Sequence, residues 1–404
     1  MSASHTLPAG DPYADDTESW VAPTHVESAL FAAKSRGDWW TYVKVLLTED
    51  VFTVLDKEEY DRRGDKAAML VMDNPAGGRS VPLYTRGMLP RRDGLVLCKL
   101  PFPIARTKAD DGNWAGVYVN PHSPCSLSLG FDDKRYAEWR KLGRRIEQRG
   151  HDDDELLTKR TGPLSGPLAH GLACGGHLAV HNQTLWNEVG EVYADYAQDV
   201  RVLRSSWGVR DRAGWQEQLT YLLRGENSPP HPELALRVRR ELLEVRPGHH
   251  DLDPREWADA ALSAVRGFSG DVRDERAVLD AVDRIPRYEA RFRADGLLDA
   301  EGPGSIVTSA VGYDYGRAVN FARWGLGARY AGQQETEEAI VRAGELCRAA
   351  YPSWQSFSAG YTLGRALRFD DDGFGHMYTS ALRPHTILTT HPESPWRTIP
   401  FTTA

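Results

Sequence analysis

The chain has 404 residues, 57 acidic against 49 basic side chains, a net charge of −8 and a pI near 5.9. That balance excludes a protein whose main partner is nucleic acid, because such binding needs a clustered basic field to displace counterions from phosphates. No apolar run approaches the ~20 residues that span a bilayer, and the first residues carry neither a basic nor an apolar leader segment, so a cytoplasmic protein without a membrane span is expected.

A content of 41% hydrophobic and 26% charged residues is ordinary for globular domains, and the length allows two or three of them. Cys98, Cys125, Cys174 and Cys347 are far apart and none lies in a Cys-x-x-Cys. Neither a zinc knuckle nor a redox motif is written there, and reduced, partly buried thiols are expected.

Residues 1–22 are polar with Pro and Gly and read as a disordered lead-in. Residues 23–145 read as an α+β domain with helices on one face of a mostly antiparallel sheet. Val26, Leu30 and Ala33, then Trp39, Val43, Leu46 and Leu47, recur at helical spacing. Strand-like runs follow at Val51 to Leu55, Ala67 to Met72, Ser80 to Thr85, Leu95 to Leu100 and Trp114 to Val119, each bounded by turn residues. Residues 146–166 form a charged linker rich in Gly and Pro. Within it Asp152 to Glu155 reads as a solvated acidic run rather than a metal site. All nine lysines lie between Lys34 and Lys159, and beyond that point arginine alone supplies fixed positive charge, which fits two modules of separate origin.

The helix with Leu30, Leu46-Leu47 before the first strand, the run Val81-Pro82-Leu83-Tyr84-Thr85 and the late Val119-Asn120-Pro121 resemble the N-terminal domain of the SseB (enhanced serine sensitivity) family over roughly residues 25–130. The resemblance implies a small cytoplasmic domain without an established catalytic site, of an actinobacterial type often associated with type VII secretion loci. The Asn120-Pro121 step has a structural reading as a turn, which is preferred to ligand binding.

Residues 167–404 read as a mainly α-helical domain with a short extended tail or small hairpin over Phe374 to Ala404. His177 and His181 share a helix face, but Leu178 follows where a zinc protease has Glu, so packing histidines are expected. Gly208 and Asp211 punctuate two helices, and Trp215, Leu219 and Leu222 form a core stripe. Near Gly312 to Arg368 two Gly-Arg steps, Gly316-Arg317 and Gly364-Arg365, sit at corresponding places in two predicted helices. Asp314 lies three residues before Arg317, in position for an ion pair. If the two helices pack together, Arg317, Arg365 and Asp314 converge.

Trp207-Gly208-Val209, Tyr313-Asp314-Tyr315-Gly316-Arg317-Ala318, Arg323, the Ser353-Trp354 pair and Gly364-Arg365 resemble the helical family known as domain of unknown function 1266, over roughly residues 168–385. This implies a bacterial α-helical domain with no cofactor. The candidate cluster is therefore Asp314, Arg317, Arg323, Arg365, Trp354 and Trp207. Converging arginines would hold a phosphate or carboxylate, with Asp314 as base or anchor; the same groups would equally tie helices together, which is the reading preferred. No phosphate loop or dinucleotide motif is present, and Gly360 to Gly364 mimics a nucleophile elbow only inside a helix. The expected function is a non-enzymatic protein-binding or adaptor role, secretion- or immunity-associated, with an unidentified protein partner. The alternative is an enzyme or sensor binding an anionic small molecule at the Asp/Arg cluster.

Overall fold

The computed structural model describes residues 20–75, 77–91, 93–100, 116–130, 137–139, 141, 155–190, 195–245, 252–267 and 269–402. Residues 1–19 of the lead-in and 146–154 of the linker, including Asp152 to Asp154, lie outside the described residues. The chain divides into two compact units: Met1–Asp152 with Thr158–Gly162 and Val192–Val202, and Asp153–Leu157 with Pro163–Glu191 and Leu203–Ala404.

In the first unit α1 (His25–Ser35) starts where the Thr24 side chain accepts the Val26 N–H, and it buries Val26, Leu30 and Ala33. Helix α2 (Trp39–Thr48) is capped by Asp38 and buries Tyr42, Val43 and Leu46. Both cover a mixed sheet of β1 (Val51–Asp56), β2 (Met72–Asp73), β3 (Arg79–Thr85), β4 (Leu95–Leu100), β5 (Gly116–Val119) and β6 (Leu127–Gly130). The order is β4-β1-β3-β5-β6 with β2 on β3, and only the β3–β5 pair is parallel among the described pairs. The α+β class read from the periodicity is thus the observed one.

Two local expectations differ. The strand expected over Ala67 to Met72 is shortened to Met72–Asp73, because α3 (Lys57–Arg63) and a 3-10 turn occupy the preceding chain and Glu59 accepts the Ala68 N–H. Residues Val192–Val202, expected in the helical domain, group with the sheet. The reason is Tyr196, which packs against Leu55 and Val96 and donates its hydroxyl to Asp61 at 2.8 Å.

The second unit is helical: α4 (Gly166–Cys174), α5 (Gly176–His181), the C-terminal end of α6 (Tyr196–Trp207), α7 (Arg212–Arg224), α8 (Pro230–Glu244), α9 (Pro254–Arg266), α10 (Val272–Ala294), α11 (Gly312–Gly327), α12 (Gln333–Ala350), α13 (Trp354–Phe369), α14 (His376–Thr390) and α15 (Pro395–Thr398). At its centre α11 touches α4, α5, α7, α12 and α13 and is buried on nearly every side. Asp314, Arg317 and Arg323 are buried along with Val319, Phe321 and Leu326. Small residues make the wider burial possible: a Cβ on Gly325 would fall 2.1 Å from the Trp215 indole nitrogen. A second core joins α8, α9 and α10 to α13 and α14 through Trp257, Ile285, Tyr288, Phe292 and Leu363.

The tail is a correction. Instead of an extended segment or hairpin it forms α14 and α15. Its threonines, which favour strands in isolation, donate their hydroxyls one turn back: Thr386 to Leu382 O, Thr389 to His385 O and Thr390 to Thr386 O. The face carrying Tyr378, Ala381, His385 and Leu388 is buried, and that burial overrides the propensity. Among the described residues no helix is long and apolar enough to cross a membrane.

Candidate functional site

The stretch that carries the Gly-Arg steps is a repeat. Residues 312–318 read Gly-Tyr-Asp-Tyr-Gly-Arg-Ala and residues 360–366 read Gly-Tyr-Thr-Leu-Gly-Arg-Ala. The two copies pack against each other reciprocally. A Cβ on Gly316 would lie 2.9 Å from the ring of Tyr361, and one on Gly364 would lie 2.7 Å from Cβ of Tyr313. Each glycine thus seats the tyrosine of the other copy, and the two rings meet edge to face at 5.2 Å. Gly312 and Gly360 admit the Tyr351 hydroxyl, which accepts the Gly312 N–H at 2.8 Å and donates to Ser309 O at 2.9 Å.

The expected cluster comes together only in part. Asp314 is fully buried. Its Oδ2 accepts the backbone N–H groups of Asn227 (3.0 Å) and Ser228 (2.9 Å), and its Oδ1 accepts the Ser228 hydroxyl and the Arg317 guanidinium. Arg317 also donates to Tyr313 O at 3.2 Å and lies over the rings of Tyr313 at 3.9 Å and Trp207 at 5.5 Å. A guanidinium so enclosed is spent on its own chain.

Asp314, Arg317 and Trp207 therefore form one sealed node, whereas the expected convergence of Arg365 does not occur. Arg365 donates to Met377 O at 3.0 Å and Ser380 Oγ at 2.8 Å, tying α13 to the start of α14. The reason lies in the repeat: the position equivalent to Asp314 is Thr362, so no acid draws Arg365 inward. Arg323 donates to Leu185 O at 2.6 Å and to Asn320 Oδ1. Trp354 stacks on Trp396 at 5.4 Å and donates to Ile399 O, holding the tail.

His177 belongs to a buried polar chain that sequence reasoning did not assemble. Its Nε2 lies 2.9 Å from Ser358 Oγ, which lies 2.8 Å from His385 Nδ1. All three are buried, and the His177 ring stacks on Tyr361 at 4.2 Å. Burial holds the His177 pKa well below the ordinary value, with His385 and Arg365 adding to the effect, and burial brings His385 down to about 4. Both rings are neutral at pH 7. Among the described residues no group of three His, Cys, Asp or Glu side chains is placed to hold a metal ion.

The sheet unit has its own buried node. Glu27, fully buried, accepts the hydroxyls of Thr24 and Thr85, while Asn120 Oδ1 accepts the Thr85 N–H at 2.9 Å. The strand-end Thr and the Asn-Pro turn are thus parts of one junction, with Asn120 in the left-handed region at φ 41°. Glu27 is the member the sequence did not flag, since one acid in a first helical turn is ordinarily a surface residue.

Beside the Asp314 node the second unit opens into a cleft of about 140 Å³. Ser228, held by Asp314, and Pro229 form one wall with the first turn of α8. The opposite wall is Ala277, Asp280, Ala281 and Arg284 of α10, and Gly364, Leu367 and Arg368 of α13 close the end. Its titratable groups are mostly paired within the chain. His231 Nε2 lies 2.9 Å from Asp274, Glu233 accepts the Ala310 N–H and the Ser309 hydroxyl, and Arg284 donates to Asp372 at 2.7 Å. This cleft is not legible in the sequence, because its walls come from three helices far apart in the chain and the segments beside them.

No curated protein and no solved structure matches the chain. Residues 202–401, the stretch that holds the repeat, the sealed node and the cleft, match the family model described as "Protein of unknown function (DUF1266)", and the C-terminal domain is accordingly similar to that family.

Proposed function

We propose that the protein is a non-enzymatic, cytoplasmic adaptor whose helical domain engages a protein partner through the α8–α10–α13 cleft. The observation that carries this reading is the contrast between the sealed Asp314–Arg317 pair and the open cleft it shapes: the ion pair fixes the Asn227–Ser228 backbone, and that backbone presents a preformed wall. Cleft groups already committed to internal partners suit recognition better than proton transfer, which needs a group free to change its charge. The resemblance of the first unit to the SseB family supports a second binding face and a secretion- or immunity-associated setting in an actinobacterial type of cell. The net charge of −8 supports a partner other than nucleic acid.

The alternative, an anionic small molecule at the Asp/Arg cluster, loses support at the expected position because Arg317 is only 8% exposed there and is already paired with Asp314. The test is a photo-crosslinking amino acid placed at Asp280 in the cleft and, as control, at Tyr221 on the exposed face of α7. Capture of one protein from position 280 only, lost when Ala277→Leu blocks the cleft, is the expected outcome. Equal capture from both positions, or none, rejects the reading.

A further inference from the structure

The chemistry of the cleft narrows what it takes, an argument that rests on the reading of the helical domain as a binding module. Its floor and sides are apolar: Pro229, Pro232, Ala277, Ala281, Val311 and Leu367. A volume of about 140 Å³ is that of one branched aliphatic side chain or one benzene-sized ring, so the space admits a single apolar group. The three prolines around the start of α8, Pro229, Pro230 and Pro232, carry no N–H, and this helix start is therefore a hydrophobic wall rather than an anion site.

The charges decide the rest. Glu233 meets Arg240 at 3.3 Å and Arg284 meets Asp372 at 2.7 Å, so both have counter-charges outside the cleft. His231 is turned to Asp274, whose carboxyl the Ser269 hydroxyl and His231 hold below the usual range. Asp280 sits near Arg284 at 3.4 Å and is largely in solvent. Among the described lining residues Arg368 is the cation without an ion-pair partner: it donates one bond, to Asn227 O at 2.9 Å, and lies over Phe369 at 5.3 Å. A guanidinium has five N–H donors, and one bond leaves most of its fork open at the cleft rim.

We infer that the cleft binds an apolar residue with a carboxylate beside it, the chemistry of the carboxyl end of a partner polypeptide. The apolar side chain fills the space between α8 and α10, and Arg368 holds the carboxylate in a charge-assisted contact. The same residue ties recognition to the sealed node, since Arg368 bonds the carbonyl of Asn227, whose N–H is held by Asp314.

The experiment is titration calorimetry on the full chain with N-acetyl-leucine, N-acetyl-leucinamide, leucinamide and a tetrapeptide ending in leucine. These share one side chain and differ in charge or length. The acid should bind about tenfold tighter than either amide, and the tetrapeptide more tightly still. Arg368→Gln, at an exposed position, should erase the preference for the acid without shifting the unfolding midpoint, and Ala277→Leu should remove binding of all four. Equal affinity of acid and amide, an unchanged preference in Arg368→Gln, or no binding by any probe overturns the inference. A tetrapeptide no tighter than N-acetyl-leucine overturns the polypeptide source. If a partner still crosslinks at position 280 while these probes fail, the adaptor reading stands and this one falls.

Discussion

The two copies of the Gly-Tyr-x-x-Gly-Arg-Ala frame share their backbone role and differ in their arginines. In both, the glycines let a tyrosine of the other helix approach to contact distance, so the helix crossing is symmetric. Yet Arg317 is enclosed with Asp314, while Arg365 runs along the surface to Met377 and Ser380. One residue separates the outcomes: Asp314 in the first copy, Thr362 in the second. An arginine beside a helix crossing is drawn inward only where a buried acid can offset its desolvation.

That contrast can be broken first at the acid. Asp314→Ala leaves a buried guanidinium without its counter-charge and frees the Asn227–Ser228 loop, and should cost about 3–5 kcal/mol in denaturant unfolding. Arg365→Ala, by comparison, should cost no more than about 1 kcal/mol, because its bonds reach a partly solvated surface. Equal losses would show that both arginines hold the crossing.

The buried histidines provide the next largest effect. The folded-state pKa of His385 is lowered to about 4 and that of His177 also lies below the ordinary value. Below an unfolded-state pKa near 6.5 the unfolded chain binds protons that the folded chain does not, so stability is complete above about pH 6.5 and falls as the pH drops. His385 alone accounts for a loss of about 3 kcal/mol by pH 4, and His177 adds to it. Urea midpoints at intervals from pH 7 to 4 measure the slope, which should shrink in His385→Gln.

The shared part of the repeat is tested by Gly364→Ala, whose Cβ would fall 2.7 Å from both Ala310 O and Tyr313 Cβ. Overpacking against backbone should cost about 1–3 kcal/mol in spite of the better helix propensity of alanine. The smallest change is expected at the divergent position. Thr362 Oγ1 is buried and makes no hydrogen bond among the described residues, so Thr362→Val should be neutral or stabilise by about 0.5–1 kcal/mol. A clear loss would reveal a partner for that hydroxyl.

Much of this was legible in the chain. Apolar periodicity located Val51–Asp56, Leu95–Leu100 and the helices that carry Trp215, Arg317 and Arg365, because their buried faces repeat at fixed intervals. The Asp314–Arg317 pair followed from spacing of three on one helix. The α-helical tail was hidden by its threonines, whose strand propensity yields to burial of Tyr378, His385 and Leu388. Glu27 and Ser358 gave no signal, since a single acid or serine becomes part of a network only through partners 58 and 181 residues away.

By itself the sequence determined what depends on neighbours along the chain: helix and strand periods, caps such as Asp211 and Ser353, and a repeated frame with glycines placed for a close crossing. The tertiary structure alone decided which arginine was sealed, which histidine met which serine, and that three separated helices leave a cleft with Arg368 at its rim. Local propensities act over one or two turns of chain, whereas desolvation and counter-charge depend on groups that only folding brings within a few ångströms.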